Sequence, residues 1–371
     1  MRNKPSKIVK TICVWSTCMV VFFCVIDHTV VSIGIKSTKY TIDDKHVGIT
    51  HQYDAEFEEL TRKEQPKVKW NNFYLNYSGK VDRLQLQAIE ARYFSLPETK
   101  VNPIDHELII TGKPICDLNS PYLLIVVPSV PSHVSIRAVI RNTIGSYGRY
   151  TSPFSVKLVF VLGRDGDAYT DLAVRNESHF YGDIVQADFV ESYYNLTRKM
   201  LVTLKWVSVY CSEIDYMLKL DEDVFVNIPV LIKYLKTFRY TTDGSIHGHI
   251  NSDSPVRRTG KWAVKWTDFP MPQYPNYAAG NSYVISGNII SRMFTVSEYL
   301  PYIPIEDVFV TGILGKIVKA ELVQHNGFTY WLDSEPFPCA FAVSGKISST
   351  KVSSFLMREL WNACTAFHTF C

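Results

Sequence analysis

Three consecutive carboxylates, Asp221, Glu222 and Asp223, interrupt an apolar run in the segment DYMLKLDEDVFVN, from Asp215 to Asn227. Carboxylates are costly to bury unless a cation meets them. In an extended strand alternate side chains share a face, so Asp221 and Asp223 are expected to point one way and Glu222 the other. Two carboxylates at i and i+2, where an apolar strand runs out, can hold one hard divalent ion through oxygen. The bland alternative is a strand turning into a loop, where the acids merely meet water. A second acidic pair, Glu306 and Asp307 in IEDVFVTG, precedes another apolar run. By itself that pattern is more often a helix N-terminus. Arg137 and Arg141 stand at i and i+4, on one face of an expected helix, either as a solvated basic face or as guanidinium forks suited to phosphate oxygens.

The elements that must position these groups read as alternating strands and helices. YLLIVVPS from Tyr122 and SVKLVFVLG from Ser155 are apolar runs of the kind found in interior parallel strands, and GDIVQAD from Gly182 is a shorter one. Between the first two lies SHVSIRAVIRNTIGSYG, with Ser132 or Ser135 as helix N-cap and Gly145 and Gly148 as stop signals. Before the acidic segment lies NLTRKMLVTLKWVSVYC, in which Leu196, Met200, Leu204, Val207 and Cys211 recur at helical spacing. The alternation predicts an α/β fold. In open α/β sheets ligands bind at the carboxyl ends of strands, which is where Asp221 to Asp223 fall.

The chain of 371 residues has a hydrophobic fraction of 46% and a net charge of +3, which suits a globular protein with an ample core. The absence of any basic block argues against a nucleic-acid partner. From Ile8 to Ile26 the sequence carries one charge, Lys10, and is long enough to cross a bilayer. Arg2, Lys4, Lys7 and Lys10 precede or begin it, so a type II signal-anchor is expected, in preference to a cleaved signal peptide. The expected layout is a cytosolic tail over 1–10, a transmembrane anchor and flank over 11–35, a stem over 36–110 and a lumenal domain over 111–371. Sequons at Asn76, Asn176 and Asn195 agree with a lumenal body. Five of the 8 cysteines lie beyond the span, so at most two bridges form within the chain and one thiol is left over.

The segment YMLKLDEDVFVN resembles the D-x-D segment of the β1,3-galactosyltransferase and β1,3-N-acetylglucosaminyltransferase family, which includes the fringe-type enzymes. YLLIVVPSVPSHVSIRAVIRNTIGSYG, FVLG, GDIVQADFVESYYNLTRK, YPNYAAGNSYVISGNII and EDVFVTGIL match the family in its order, over about residues 116 to 340. The resemblance implies a GT-A fold, a Rossmann-like and mostly parallel sheet with flanking helices. It implies an inverting enzyme that moves galactose, or alternatively N-acetylglucosamine, from a UDP-sugar to the 3-hydroxyl of a glycoprotein or glycolipid glycan. It further implies a Golgi membrane location and a divalent ion, Mn²⁺. The implied roles are Asp223 as metal ligand with Asp221 beside it, and Arg137, Arg141, Asp221 and Glu222 near the donor. Asp307 is the implied base, with Glu306 as alternative or acceptor contact. Tyr277 and Gly280 border the sugars, with Trp262 and Trp266 as candidates for stacking on an acceptor ring. Lys199 matches a family lysine and is expected to be a structural or helix-surface residue.

Three departures stand out. Ile144 replaces a family tryptophan, Met200 replaces a threonine, and Ser344 to Lys351 lacks the histidine that many members carry beyond the cysteine matching Cys339. Lys346 or Lys351 could supply charge there instead. A catalytically impaired glycan-binding relative is therefore the competing reading. A glycoside hydrolase would use two acids flanking a bond, and it leaves the D-x-D in this order without a purpose.

Overall fold

The computed structural model of the chain describes residues 22–26, 29–33 and 83–371, apart from 113–114, 117–119, 150–153, 239–242 and 331–332. Two compact units are distinguished, Met1–Gln65 and Pro66–Cys371. In the first, strands β1 (Phe22–Ile26) and β2 (Thr29–Ile33) pair antiparallel. Most of the expected anchor, 8–21, lies outside the described residues, and Phe22–Ile26, its last five, form strand. Among the described residues no helix is long and apolar enough to cross a membrane.

The second unit begins its described part with helix α1 (Arg83–Phe94) and strand β3 (Leu108–Ile110). Strands β4 (Leu123–Pro128), β5 (Val156–Arg164), β6 (Ile184–Val190) and β7 (Tyr216–Leu220) follow, separated by helices α2 (Val134–Asn142), α3 (Ala168–Tyr181) and α4 (Leu196–Tyr210). Then come β8 (Phe225–Val226), β9 (Ser245–Asn251), β10 (Tyr277–Ser286), β11 (Glu321–Gln324) and β12 (Ser348–Ser349). Eight strands form one sheet in the order β11–β9–β10–β7–β4–β5–β6–β3. The central block β7–β4–β5–β6 is parallel, β9 and β11 are parallel to each other, and β3 and β10 run antiparallel to their neighbours.

The α/β fold expected from the alternation is present. The parallel strands are buried on both faces, as their unbroken apolar runs require. In β4, Leu123, Ile125 and Val127 belong to one core and Leu124 and Val126 to the other, so successive side chains feed the two layers that sandwich the sheet. The chain order reverses between β4 and β7, which puts the crevice for a ligand outside the carboxyl ends of those two strands.

Three local expectations are revised. The cap of α2 is His133 rather than Ser132 or Ser135, and it makes no side-chain capping bond. The segment α3, set between Asp167, which accepts from the Thr170 N–H, and the left-handed Gly182, is a helix that the apolar pattern did not reveal. The stem expected over 36–110 ends earlier than that. Within α1 Tyr93 is buried, β3 joins the main sheet, and the Lys205 ammonium holds the Ile104 carbonyl at 2.6 Å. Two disulfides, Cys116–Cys211 and Cys339–Cys371, fasten the domain and leave Cys364 free.

Candidate active site

β7 stops at Leu220, and the acids that follow do not continue it. The Val224 N–H bonds the Asp221 carbonyl at 3.1 Å, closing a turn over the three carboxylates. Strand alternation therefore fails beyond Asp221, and the expected shared face of Asp221 and Asp223 is replaced by three separate orientations.

Asp221 faces back into the protein. Its Oδ1 accepts from the ammonium of Lys219 at 2.6 Å, two residues earlier on the same strand face. Lys219 is fully buried; its ammonium also donates to the Gly280 carbonyl and lies 3.5 Å from Glu306 Oε2. Burial alone would lower the pKa of this lysine, but the charges of Asp221 and Glu306 outweigh it and raise the value. A lysine in an otherwise apolar strand is thus the cation that meets part of the acidic cluster, and sequence reasoning passed over it. Its signal was present: Lys219 is the single charge within a strand every residue of which is buried, and such a charge needs a carboxylate partner.

Glu222 turns toward β4. It accepts from the Ser129 hydroxyl and from His133 Nδ1, the latter at 2.6 Å, and so ties the acidic turn to the loop after β4. Asp223 is exposed, and no other residue's donor meets its carboxylate among the described residues. The surrounding turn partly desolvates the carboxylate although the residue as a whole is exposed, and this, with the neighbouring Asp221 charge, raises its pKa. Its backbone carbonyl accepts from the Val352 N–H at 2.9 Å, so the segment before Val352, where a histidine was expected by resemblance, does reach the turn. Lys351 there has a left-handed backbone, φ 61°, and its ammonium holds the Asp333 carbonyl at 3.0 Å; Lys346 holds the Asn326 carbonyl at 3.0 Å.

Arg137 and Arg141 lie on the buried face of α2. Arg137 spends five hydrogen bonds inside the protein, on both Glu177 oxygens, the Ser129 hydroxyl and the carbonyls of Val130 and Pro131. A guanidinium has five donors, so none remains for a phosphate. Arg141 grips Asp183 with two parallel bonds at 2.7 and 2.8 Å and reaches Glu177 at 2.7 Å. The structure thus assigns both to an ionic network beneath the site, in place of the donor contact implied by resemblance. Lys199 belongs to the same layer: it is buried, pairs with Glu191 at 2.7 Å and holds the Ser129 carbonyl at 2.6 Å. It is a structural lysine, and not a helix-surface one.

The second acidic pair splits into two roles. Glu306 is buried, accepts from the Tyr283 hydroxyl at 2.6 Å and faces Lys219. Burial pushes its carboxyl up to about 7, against the opposing charge of Lys219. Asp307 is half-buried and opens a π-helical stretch, Val308–Leu314. Its Oδ1 accepts from the Val308 N–H at 2.9 Å and its Oδ2 from the Gly280 N–H at 3.0 Å. Burial, together with the nearby Asp221 charge, raises its pKa. Gly280 permits this approach: a Cβ there would stand 3.1 Å from Asp307 Oδ2. Tyr277, at the start of β10, is half-buried with a raised pKa from burial and from Asp307.

Asp221, Gly280, Glu306 and Asp307 are thus gathered around one ammonium, with Asp223 and Tyr277 at the margin. Trp262 is set apart: it is exposed and donates to the Tyr193 hydroxyl at 3.0 Å. Trp266 is half-buried under the Arg258 guanidinium at 3.6 Å. Of the sequons, Asn76 lies outside the described residues, Asn176 is exposed on α3, and Asn195 is buried with its amide donating to the Val190 carbonyl at 2.9 Å. Ile144 and Met200, two of the departures, are fully buried core residues.

A family model described as Galactosyltransferase matches residues 135–326, a span that holds both acidic segments, both arginines and Gly280. The β1,3-galactosyltransferase 1 of Mus musculus is 30% identical over 264 residues, covering 71% of this chain and 79% of that protein. The β1,3-galactosyltransferase 5 of Gorilla gorilla gorilla is 33% identical over 233 residues, covering 59% of this chain and 76% of that protein. A crystal structure of the galactosyltransferase LgtC with donor and acceptor sugar analogues aligns with a TM-score of 0.35 and 13% identity, over 65% of this chain and 96% of that one.

Proposed function

The chain belongs to the galactosyltransferase family, and from that premise we propose that it is an inverting β1,3-glycosyltransferase. It moves galactose from UDP-galactose to the 3-hydroxyl of an acceptor glycan on a glycoprotein or glycolipid. The observation that carries the reading is the setting of Asp307. Its carboxylate is fixed by two backbone N–H groups beside Gly280, and its pKa is raised by burial. Inversion by a single displacement requires a base that takes the acceptor hydroxyl proton as that oxygen attacks the sugar carbon. A carboxylate with a raised pKa is a better base, and its two fixed oxygens each keep a lone pair free. Glu306 is sealed against Lys219 and Tyr283, so its part is to hold the ammonium, not to meet the acceptor. The order β6–β5–β4–β7 supports the GT-A architecture.

Among the described residues no group of three or more His, Cys, Asp and Glu is placed to hold a metal by itself. Asp223 fits as a protein ligand because its carboxylate is free and exposed, and Asp221 keeps one oxygen beyond the bond to Lys219. Oxygens of the diphosphate would complete the shell. A bound Mn²⁺ supplies positive charge to the leaving diphosphate. A Golgi, type II location behind the anchor expected over 8–26 belongs to the same reading, supported by the two disulfides of the folded domain, which form in an oxidising compartment.

The test follows UDP release by the purified protein with Mn²⁺, UDP-galactose or UDP-N-acetylglucosamine, and a panel of acceptor glycans. Acceptor-dependent release is expected with UDP-galactose, and Asp307→Asn should lower kcat by about 10²–10⁴-fold. A folded protein that releases no UDP under any combination would overturn the transferase reading in favour of a glycan-binding relative. Release that survives Asp223→Ala would remove the metal role of that residue.

A further inference from the structure

The same edge of the sheet carries a second cluster that the transfer chemistry leaves unused. β6 runs parallel to β4 and β5, so Tyr193, which follows it, lies at the carboxyl edge along with Asp221. Trp262 comes from the connection between β9 and β10, and its ring nitrogen fixes the Tyr193 hydroxyl. Both rings are open to solvent, at 54% and 43% exposure.

Two cations lie over these rings. The Arg257 guanidinium is 4.8 Å from the centre of the Trp262 ring, and the Lys261 ammonium is 4.1 Å from that of Tyr193 and 6.0 Å from that of Trp262. Both are exposed, and neither has a carboxylate partner among the described residues. A ring orders a cation without neutralising it, so the shelf presents two fixed, uncompensated positive charges beside aromatic surface. Although Trp262 itself stands apart from the catalytic groups, the segment that carries Arg257 is tied to the one that leads into Tyr277: the Val256 N–H bonds the Pro272 carbonyl at 2.8 Å and the Tyr274 N–H bonds the Ser254 carbonyl at 2.9 Å.

We infer that this shelf is an acceptor subsite that selects glycans bearing an oxyanion, a sulfate ester or a carboxylate, on a sugar beyond the reacting one. The inference rests on the transferase reading above. The ring edges of Tyr193 and Trp262 pack against the pyranose carbons, while Arg257 and Lys261 take the oxyanion through charge-assisted hydrogen bonds. Among the described residues neither cation pairs with Asp221, Asp223, Glu306 or Asp307, so the pair acts on choice of acceptor and not on the chemical step.

The experiment uses the full-length protein with UDP present. The probes are disaccharides ending in β-N-acetylglucosamine or β-galactose, each with the inner sugar neutral, 6-O-sulfated or replaced by glucuronate. Binding is read by titration calorimetry, and turnover separately by UDP release from UDP-galactose. The sulfated or glucuronate form, or both, should bind about tenfold more tightly than the neutral form, with the gap closing as salt is raised. The double variant Arg257→Gln with Lys261→Gln should remove most of the gap, and Trp262→Ala should weaken neutral and anionic probes alike. A response to sulfate alone or to glucuronate alone identifies the source of the oxyanion. Equal binding of neutral and anionic probes, or a gap that survives the double variant, overturns the inference. The two readings fail separately: normal turnover without a binding gap leaves the transferase and removes the shelf, whereas a binding gap without any turnover does the reverse.

Discussion

Lys219→Met isolates the buried charge around which the site is assembled. The side chain is 1% exposed and lies 2.6 Å from Asp221 and 3.5 Å from Glu306. Methionine keeps most of the volume and the unbranched shape, so packing on that face of β7 is largely retained and the counter-charge is what disappears. Asp221 is 39% exposed and regains water, which makes its share of the loss small. Glu306, at 4%, cannot regain water, and orphaning one partner of a buried pair costs about 3–5 kcal/mol. Glu306 does have a way out, because burial already pushes its carboxyl up to about 7 with Lys219 in place, and removal of the ammonium moves it higher. A folded-state value above the unfolded one means that this group's contribution is fully present below the ordinary carboxylate value and is lost as pH rises through the folded value. Because the native carboxyl already titrates near 7, the extra loss accrues only above that value, at about 1.4 kcal/mol per pH unit, so the destabilisation should be about 1 kcal/mol near pH 5 and grow to about 2 kcal/mol near pH 8, read by urea unfolding. Adding Glu306→Gln, which can still accept from Tyr283, should flatten that pH dependence. A loss of equal size at both pH values, or one that Glu306→Gln leaves unchanged, would refute the pairing.

Other outcomes follow from the same contacts. Gly280→Ala places a methyl 3.1 Å from Asp307 Oδ2 and 3.2 Å from its Cβ, and displacing the carboxylate should lower kcat by about 10- to 100-fold with little change in urea midpoint. Replacing both Cys116 and Cys211 by serine opens a bridge spanning 95 residues, and in the chain-entropy picture should cost about 4–5 kcal/mol in urea unfolding. Glycopeptide mapping of secretory-pathway material should find carbohydrate on Asn176 and none on Asn195, whose amide is buried and engaged with the Val190 carbonyl.

The parallel core of the fold was legible because strands buried on both faces must be apolar throughout, and β4, β5 and β7 announce themselves that way. The helix α4 was legible through its 3.6-residue period. Helix α3 was not, since it buries little more than Val174 and Glu177 and so lacks an apolar stripe. The early start of the folded domain was hidden for a similar reason. α1 buries one residue, Tyr93, against partners such as Phe269 that are distant in sequence, and its other core-facing residues, Leu86, Ile89 and Phe94, are only partly buried.

At the site, the acids themselves could be read from the sequence, but their division of labour could not. Glu306 and Asp307 are adjacent, yet one is sealed against Lys219 and the other is aimed at Gly280, a difference set by where β10 passes. The arginines illustrate the converse. A pair at i and i+4 suggests a phosphate clamp or a solvated face, and both readings assume that the charges remain uncompensated. Glu177 and Asp183, some 40 residues on, cancel them in the core. The Ser344 to Lys351 departure is likewise one of side chain and not of position. β12 pairs with β8 directly after the acidic turn, and the Val352 N–H holds the Asp223 carbonyl. The backbone therefore still delivers this segment to the free carboxylate, with Lys351 at the delivery point in a left-handed conformation. Lys351, one residue before that contact, turns its ammonium to the Asp333 carbonyl at 3.0 Å, so it is the backbone of this segment, and not a cation on it, that meets Asp223.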